Sequence, residues 1–227
     1  MPKSSKKAAD RRPRVRRGNR DDQQALKRAL IDAALALFVE GGVEAVKMRA
    51  VAERVGRSPM AAYRYFADKD ELLSGLWEFV LEAVHERMAA ALDGPPTARA
   101  RQAAVIDAYL AHWEALPGHY QLVYASQGSA RAAPVAGAAP SAVYGRLLAL
   151  TERVTREFAA ELGVGAEHIK LASDVRFAMQ LGYLNGLLMN RRYPWGERAV
   201  LRAVYIDQIV ATVERCLRHG AASAATH

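Results

Sequence analysis

Apolar residues recur along this chain at three- and four-residue spacing and almost nowhere at alternate positions, so helix is the expected state throughout. Between 22 and 40, Leu26, Leu30, Ala33, Ala34, Leu37 and Phe38 fall on one stripe, which Gly41-Gly42 stops. A short segment over 47–54 turns Met48, Val51, Ala52 and Val55 inward and breaks at Gly56. Ser58 is a preferred N-cap and Pro59 suits a first helical position, so a third short helix is predicted through Phe66. Asp68, with Glu71 three residues on, has capping-box spacing. The long helix it opens carries Leu72, Leu73, Leu76, Phe79, Val80 and Val84 and ends near Asp93-Gly94-Pro95-Pro96. Thr97 starts another helix, to about Ala115, which Pro117-Gly118 close, and a brief one follows at 119–126.

The stretch 127–140 is a small-residue loop with two prolines, expected to be mobile. Helices over 141–162, 166–192 and 198–218 complete the pattern, and the end beyond Gly220 is expected to fray. The prediction is an all-α chain of about nine helices in two parts: three short helices, then a larger helical body. The boundaries expected are an arm at 1–20, a first domain at 21–68, a second at 69–220 and a tail at 221–227. No repeat of 20–50 residues is visible, which argues against a solenoid.

Charge changes the picture at one end. The chain of 227 residues has a formal net charge of +8. Residues 1–20 hold nine basic side chains and one acid, so that segment carries the whole excess and the remainder balances. An arm so poor in large apolar residues cannot bury enough surface to fold alone. Two readings fit it: a solubilising leader, or an arm drawn to a polyanion, releasing counterions as it meets phosphates. No apolar anchor accompanies it, which disfavours a membrane surface. Cys216 is the only cysteine, so disulfide frameworks and Cys-rich zinc modules are excluded and a reducing compartment fits. No apolar run reaches the roughly 18 residues of a membrane span, and the basic start lacks the apolar core of a secretory leader. A cytoplasmic protein is expected.

Two short helices joined by a tight glycine turn, the second opened by Ser-Pro, form the pattern of a helix-turn-helix. An α-helix fits the B-DNA major groove, and the first helix props the second so that its N-terminal half meets base edges. A helical hairpin that merely packs is the competing reading, and the adjacent cationic arm favours DNA. Along this stretch, Met48-Arg49-Ala50-Val51-Ala52-Glu53-Arg54-Val55-Gly56-Arg57-Ser58-Pro59-Met60-Ala61-Ala62-Tyr63-Arg64-Tyr65-Phe66 and then Asp68-Lys69-Asp70-Glu71-Leu72-Leu73, the chain resembles the DNA-binding domain of tetracycline-repressor (TetR) family regulators. The family's Tyr-Arg-X-Phe-X-X-Lys-X-X-Leu signature stands at Tyr63–Leu72.

The resemblance implies roles position by position. Tyr63 and Lys69 match phosphate-holding positions. Pro59, Met60, Ala61, Arg64 and Tyr65 match the groove-facing side of the recognition helix, with Ser58 at its start. Arg49 matches a second-helix position that reaches a base. Three departures stand out: Lys47 where Thr or Ser is common, Arg57 in place of a small aliphatic residue, and Met60-Ala61 for a common Gly-Thr pair. The expectation is that Arg64 or Arg49 reads guanine while Met60 and Ala61 touch thymine methyls.

The same resemblance implies a homodimer on a palindromic double-stranded DNA operator and a small-molecule effector held among the middle helices. The last two long helices are apolar on more than one face, which requires cover on both sides. Leu181, Gly182, Gly186, Ile206, Ile209, Val210 and Val213 are the expected dimer residues. The expected pocket residues are Trp77, Tyr109, His112, Trp113, Tyr120, Tyr124, Phe177, Tyr183 and Asn185; so aromatic a set favours a flat, largely apolar ligand. Catalytic patterns are missing: there is no HExxH, P-loop or Gly-x-Ser-x-Gly, and Gly163-x-Gly165 lacks a third glycine. No catalytic residue, cofactor or metal site is expected. Together these point to a transcriptional regulator, in the family's commoner habit a repressor. The alternatives are an all-helical small-molecule binder or enzyme with an incidental basic leader, and a chromosome-coating protein.

Overall fold

A computed structural model describes residues 15–125, 141–190 and 192–224, with side chains described over 20–124, 141–190 and 192–218. The expected arm at 1–14, the loop at 127–140 and the tail at 225–227 lie outside the described residues. Among the described residues the chain forms nine α-helices, one π turn and no strand. None of those helices is long and apolar enough to cross a membrane. The chain divides into two compact units, Met1–Leu72 and Leu73–His227.

The first unit holds α1 (Val15–Ala45), α2 (Met48–Arg54) and α3 (Pro59–Tyr63). Helix α1 begins at Val15, so the last six residues of the expected arm are helical: once the stripe ahead nucleates a helix, each further residue adds a hydrogen bond. The stripe ends where the glycines were expected to end it, with Gly41 and Gly42 non-helical inside α1 and Gly42 at φ +68°. Leu30, Ala34, Phe38, Val51, Ala52, Ala62 and Phe66 are buried and form the unit's core. Helix α3 is shorter than expected. It spans five residues, its Ser58 makes no side-chain cap, and only main-chain bonds from Tyr65 N and Phe66 N to Ala62 O prolong the turn.

Helix α4 (Lys69–Ala90) opens as its sequence suggests: Asp68 Oδ1 accepts from Glu71 N at 2.8 Å, while the Glu71 carboxylate reaches back to Ala67 N. The boundary between units falls one turn inside α4, after Leu72 rather than at 68. That first turn is tied to the first unit, because Lys69 Nζ donates to the Val43 carbonyl at 2.7 Å.

In the second unit follow α5 (Ala98–Ala115), α6 (Pro117–Tyr120) running into the π turn Gln121–Ala125, α7 (Ala142–Glu161), α8 (Ile169–Met189) and α9 (Arg198–Ala224). Thr97 caps α5 by accepting from Ala100 N at 3.1 Å. The Glu161 carboxylate, from the end of α7, accepts from Ala98 N and Arg99 N and so places negative charge at the same helix start. Helix α5 packs against α7, α8 and α9 and is the unit's centre. Its Trp113 is fully enclosed, with edge-on contacts to His112, Tyr109, Tyr120 and Tyr124. Helix α9 continues to Ala224, four residues into the expected tail, as its alanines favour.

Candidate nucleic-acid interface and cavity

The turn between α2 and α3 is set by main-chain bonds around Gly56. Arg57 N donates to Ala52 O at 2.9 Å and Gly56 N to Glu53 O at 3.0 Å, a Schellman closure that needs its left-handed residue at Gly56, φ +66°. A side chain there would be strained, since L residues rarely adopt that conformation. The turn leaves Arg57 exposed and aims the next residues into α3.

Across α3 burial alternates sharply. Ala62 and Phe66 are buried at 1% and 3% exposure, whereas Met60 is 71% and Tyr63 48% exposed. Arg64 and Ser58 are exposed too, and Pro59, Ala61 and Tyr65 are half-buried. Met60, Tyr63 and Arg64, three and four residues apart, thus fall on the solvent-facing side of α3. Lys47 and Arg49 of the second helix are exposed. Among the described residues no acid pairs with Arg57 or Arg64, but Arg49 donates from Nε to Glu53 Oε1 at 2.8 Å. That hydrogen bond, followed by the charge of Glu53, holds the Arg49 guanidinium still further above its ordinary range. Lys69 is half-buried on the Val43 carbonyl, leaving two of its three donors for another partner.

Sequence reasoning missed the brace behind this surface. Arg54 forks onto Glu40, Nη1 to Oε2 at 2.8 Å and Nη2 to Oε1 at 2.6 Å, clamping α2 to α1. The hydrogen bond from Arg54 lowers the Glu40 pKa. Fourteen residues separate the pair, and no local spacing rule reaches that far.

The second unit contains a cavity of about 610 Å³, walled by α4, α5, α7, α8 and the π turn. Of the nine expected pocket residues only Tyr109, Tyr124 and Phe177 line it. The other six face elsewhere. Trp113 and Tyr120 are enclosed core, and the Tyr120 hydroxyl donates to Asn185 Oδ1 at 3.0 Å. Tyr183 donates to Glu114 Oε1 at 2.8 Å, and Glu114 also accepts from Arg202. Trp77 packs on Tyr144, and His112 lies between Trp113 and His119. Burial first, then the fields of His119 and Arg87, push His112 down to about 4. Aromatic side chains cluster here mainly to pack, which sequence composition could not separate from lining.

The expected apolar lining is also corrected. Leu81, Val84, Met88, Val105, Leu147 and Ile169 supply an apolar part, but Ser173, Arg176 and Gln180 bring polar groups into the wall from one face of α8. Arg176 is 5% exposed, and burial pushes its pKa down to about 10, with Tyr109 acting in the opposite direction. The Tyr109 and Tyr124 hydroxyls are 2.9 Å apart. Around the wall's exposed edge Arg156 pairs with Glu152 and Lys170 with Asp174.

The expected dimer residues divide. Ile209, Val210 and Val213 are at 0%, 2% and 0% exposure within their own chain and have no surface left for a partner. Gly186 lets the Trp195 ring approach: a Cβ there would lie 3.4 Å from it. Gly182 is exposed, and Leu181 and Ile206 are half-buried. The apolar side chains that α8 and α9 do expose are Leu171, Phe177, Met189, Val200 and Val204. These lie at other positions of the two helices than the residues expected to pair.

These features define a helix-turn-helix protein with a separate, cavity-bearing helical unit. Residues 30–76 match the family described as bacterial regulatory proteins, tetR family. Over 80 residues the chain is 35% identical to the HTH-type transcriptional regulator BetI of Rhizobium meliloti (strain 1021), covering 35% of this chain and 39% of that protein. Over 51 residues it is 49% identical to the HTH-type transcriptional repressor KstR of Rhodococcus jostii (strain RHA1), covering 22% and 24%. The matched stretches therefore span well under half of these relatives' own lengths. The solved structure of the transcriptional regulator FadR from Bacillus subtilis in complex with stearoyl-CoA aligns at TM-score 0.66 and 16% identity, over 81% of this chain and 97% of that one. That likeness carries the fold. Residues 30–76 are thus similar to the N-terminal domain of the tetR family.

Proposed function

We propose that this protein is a cytoplasmic DNA-binding transcriptional regulator, a repressor that holds a palindromic operator as a homodimer and releases it when a small molecule occupies the cavity of the second unit. The observation that carries the reading is the two-sidedness of α3. Ala62 and Phe66 anchor it, while Met60, Tyr63 and Arg64 stand in solvent. Side chains this large and this exposed on a braced helix suit insertion into a major groove. Arg64 is the base reader in this proposal, because no acid competes for it among the described residues, whereas Arg49 Nε is engaged by Glu53. One such helix spans few bases, so a two-fold pair is required for specificity. The pair forms through the exposed face of α8 and α9 that includes Gly182, Met189, Val200 and Val204. The effector acts through a difference in its affinity for the DNA-competent and DNA-released shapes.

Selection of bound duplexes from a random pool tests the reading. A regulator enriches one two-fold-symmetric site and holds it at physiological salt at least ~1,000-fold more tightly than scrambled DNA. Uniform binding to all sequences would make the protein a coat, and no binding would leave a small-molecule binder or an enzyme.

A further inference from the structure

Resting on the effector reading above, the geometry points to a ligand of a definite class: an organic monocarboxylate with an apolar body, its carboxylate seated on Arg176 inside the second unit's cavity.

Arg176 sits in a run of α8 positions that face inward, after Ile169 and Ala172 and before Gln180 and Tyr183, where an apolar residue is the ordinary choice. It is 95% buried, yet its Nε and Nη1 have no hydrogen-bond partner. Nor does any acid pair with it among the described residues. One turn earlier on the same helix, Ser173 Oγ is also buried without a partner. Both residues line the cavity. A buried guanidinium with unmade bonds is costly unless an acceptor completes it, and the cavity is the space from which an acceptor can come. The Tyr109–Tyr124 pair adds a further donor. One hydroxyl must donate to the other, which leaves a single O–H free for a third partner.

The rest of the wall narrows the class. Leu81, Val84, Met88, Val105 and Leu147 require an apolar body, and about 610 Å³ lies within the usual range of small-molecule sites. The wall's other cations, Arg156 and Lys170, are each paired four residues along their own helices, with Glu152 and Asp174. With Glu167 these acids give the wall three carboxylates, which oppose a dianion such as a phosphate monoester. A neutral ligand would leave Arg176 uncompensated, and a cation would add repulsion to it. A single carboxylate answers one buried guanidinium and the hydroxyls beside it.

Calorimetric titration of the full chain with phenylhexanoate, phenylhexanol and phenylhexylamine, three probes with one body and different heads, tests this directly. The acid should bind about 10- to 100-fold more tightly than the alcohol, the range expected for hydrogen bonds to a charged partner, and the amine should bind most weakly. Arg176→Met removes a buried unpaired charge and keeps an apolar side chain of similar reach. It should bring the acid and the alcohol to about the same affinity, with circular dichroism matching the parent protein. If that variant does not fold, the comparison of the three heads on the parent protein decides alone. Equal affinity for acid and alcohol, an Arg176→Met protein that binds the acid undiminished, or binding of none of the three would overturn the assignment. Operator selection is scored separately. A protein that binds DNA selectively but not the acid refutes the ligand alone, and one that binds the acid but no DNA refutes the regulator alone.

Discussion

The two units place their chemistry in opposite ways. The first spends its small core, Leu30, Ala34, Phe38, Ala62 and Phe66, on holding a short helix whose useful side chains are outside. The second turns an arginine inward, to a cavity whose wall comes from four helices and a π turn. A polyanion as large as DNA can be met only at a surface, where water screens each charge and many weak contacts must sum. A small molecule can be enclosed, and inside a low-dielectric wall one guanidinium counts for much more. The difference teaches that exposed cations in the first unit and the buried cation in the second are not the same kind of evidence. The first is ordinary for a surface, whereas the second requires a partner.

The largest test of this division is Trp113→Ala. Emptying the centre of the second unit should cost that unit about 3–5 kcal/mol in urea unfolding. The first unit, with a core of its own, should keep its midpoint; a single merged transition displaced as a whole would show that the two cores are not independent.

Acid should then separate the units. In the second, burial holds His112 near 4 and lowers His119 as well. Between pH 6.5 and 4 the unfolded chain binds protons that the folded unit refuses, so stability is complete above about 6.5 and is lost as pH falls, by up to about 3 kcal/mol for His112. In the first unit the Glu40 pKa is lowered by Arg54, so that contribution persists down to the usual carboxylate range and fades only below it. All three tryptophans lie in the second unit, so their fluorescence should change at higher pH than amide protection in α1. Coincident acid transitions would contradict this, and His112→Phe should flatten the tryptophan-detected slope.

A smaller effect is expected at the DNA surface. Arg64→Ala should weaken selective binding by about 1–3 kcal/mol if it makes a bidentate base contact. Arg49→Ala should cost less, since the Glu53 carboxylate beside Arg49 offsets part of its attraction to DNA. An equal loss on selected and random duplexes would reduce Arg64 to a phosphate contact.

How much of this could be read without coordinates differs between the units for a physical reason. In the first, Gly56, Ser58, Pro59, Ala62 and Phe66 act within a dozen residues, and caps, glycine turns and helical spacing are local rules. Even so, α3 is shorter than its pattern predicts, because the turn beyond Tyr63 continues only through main-chain bonds to Ala62. In the second, Tyr109, Tyr124 and Phe177 reach the cavity while Trp113, Tyr120 and Tyr183 do not, although all six are equally aromatic. One signal is legible in the second unit: Arg176 and Gln180 occupy buried positions among the apolar residues of α8, a local conflict that marks sites rather than scaffolds.

The order of the amino acids by itself determined the run of helices, the caps at Asp68 and Thr97 and the helix-turn-helix, because each depends on neighbours three or four residues away. Only the tertiary structure decided which aromatic rings face space, which sides of α8 and α9 remain uncovered, and that Arg176 stands buried without an acid. Those outcomes depend on how segments a hundred residues apart exclude water from one another, and hydrophobic burial carries no record of direction in the sequence.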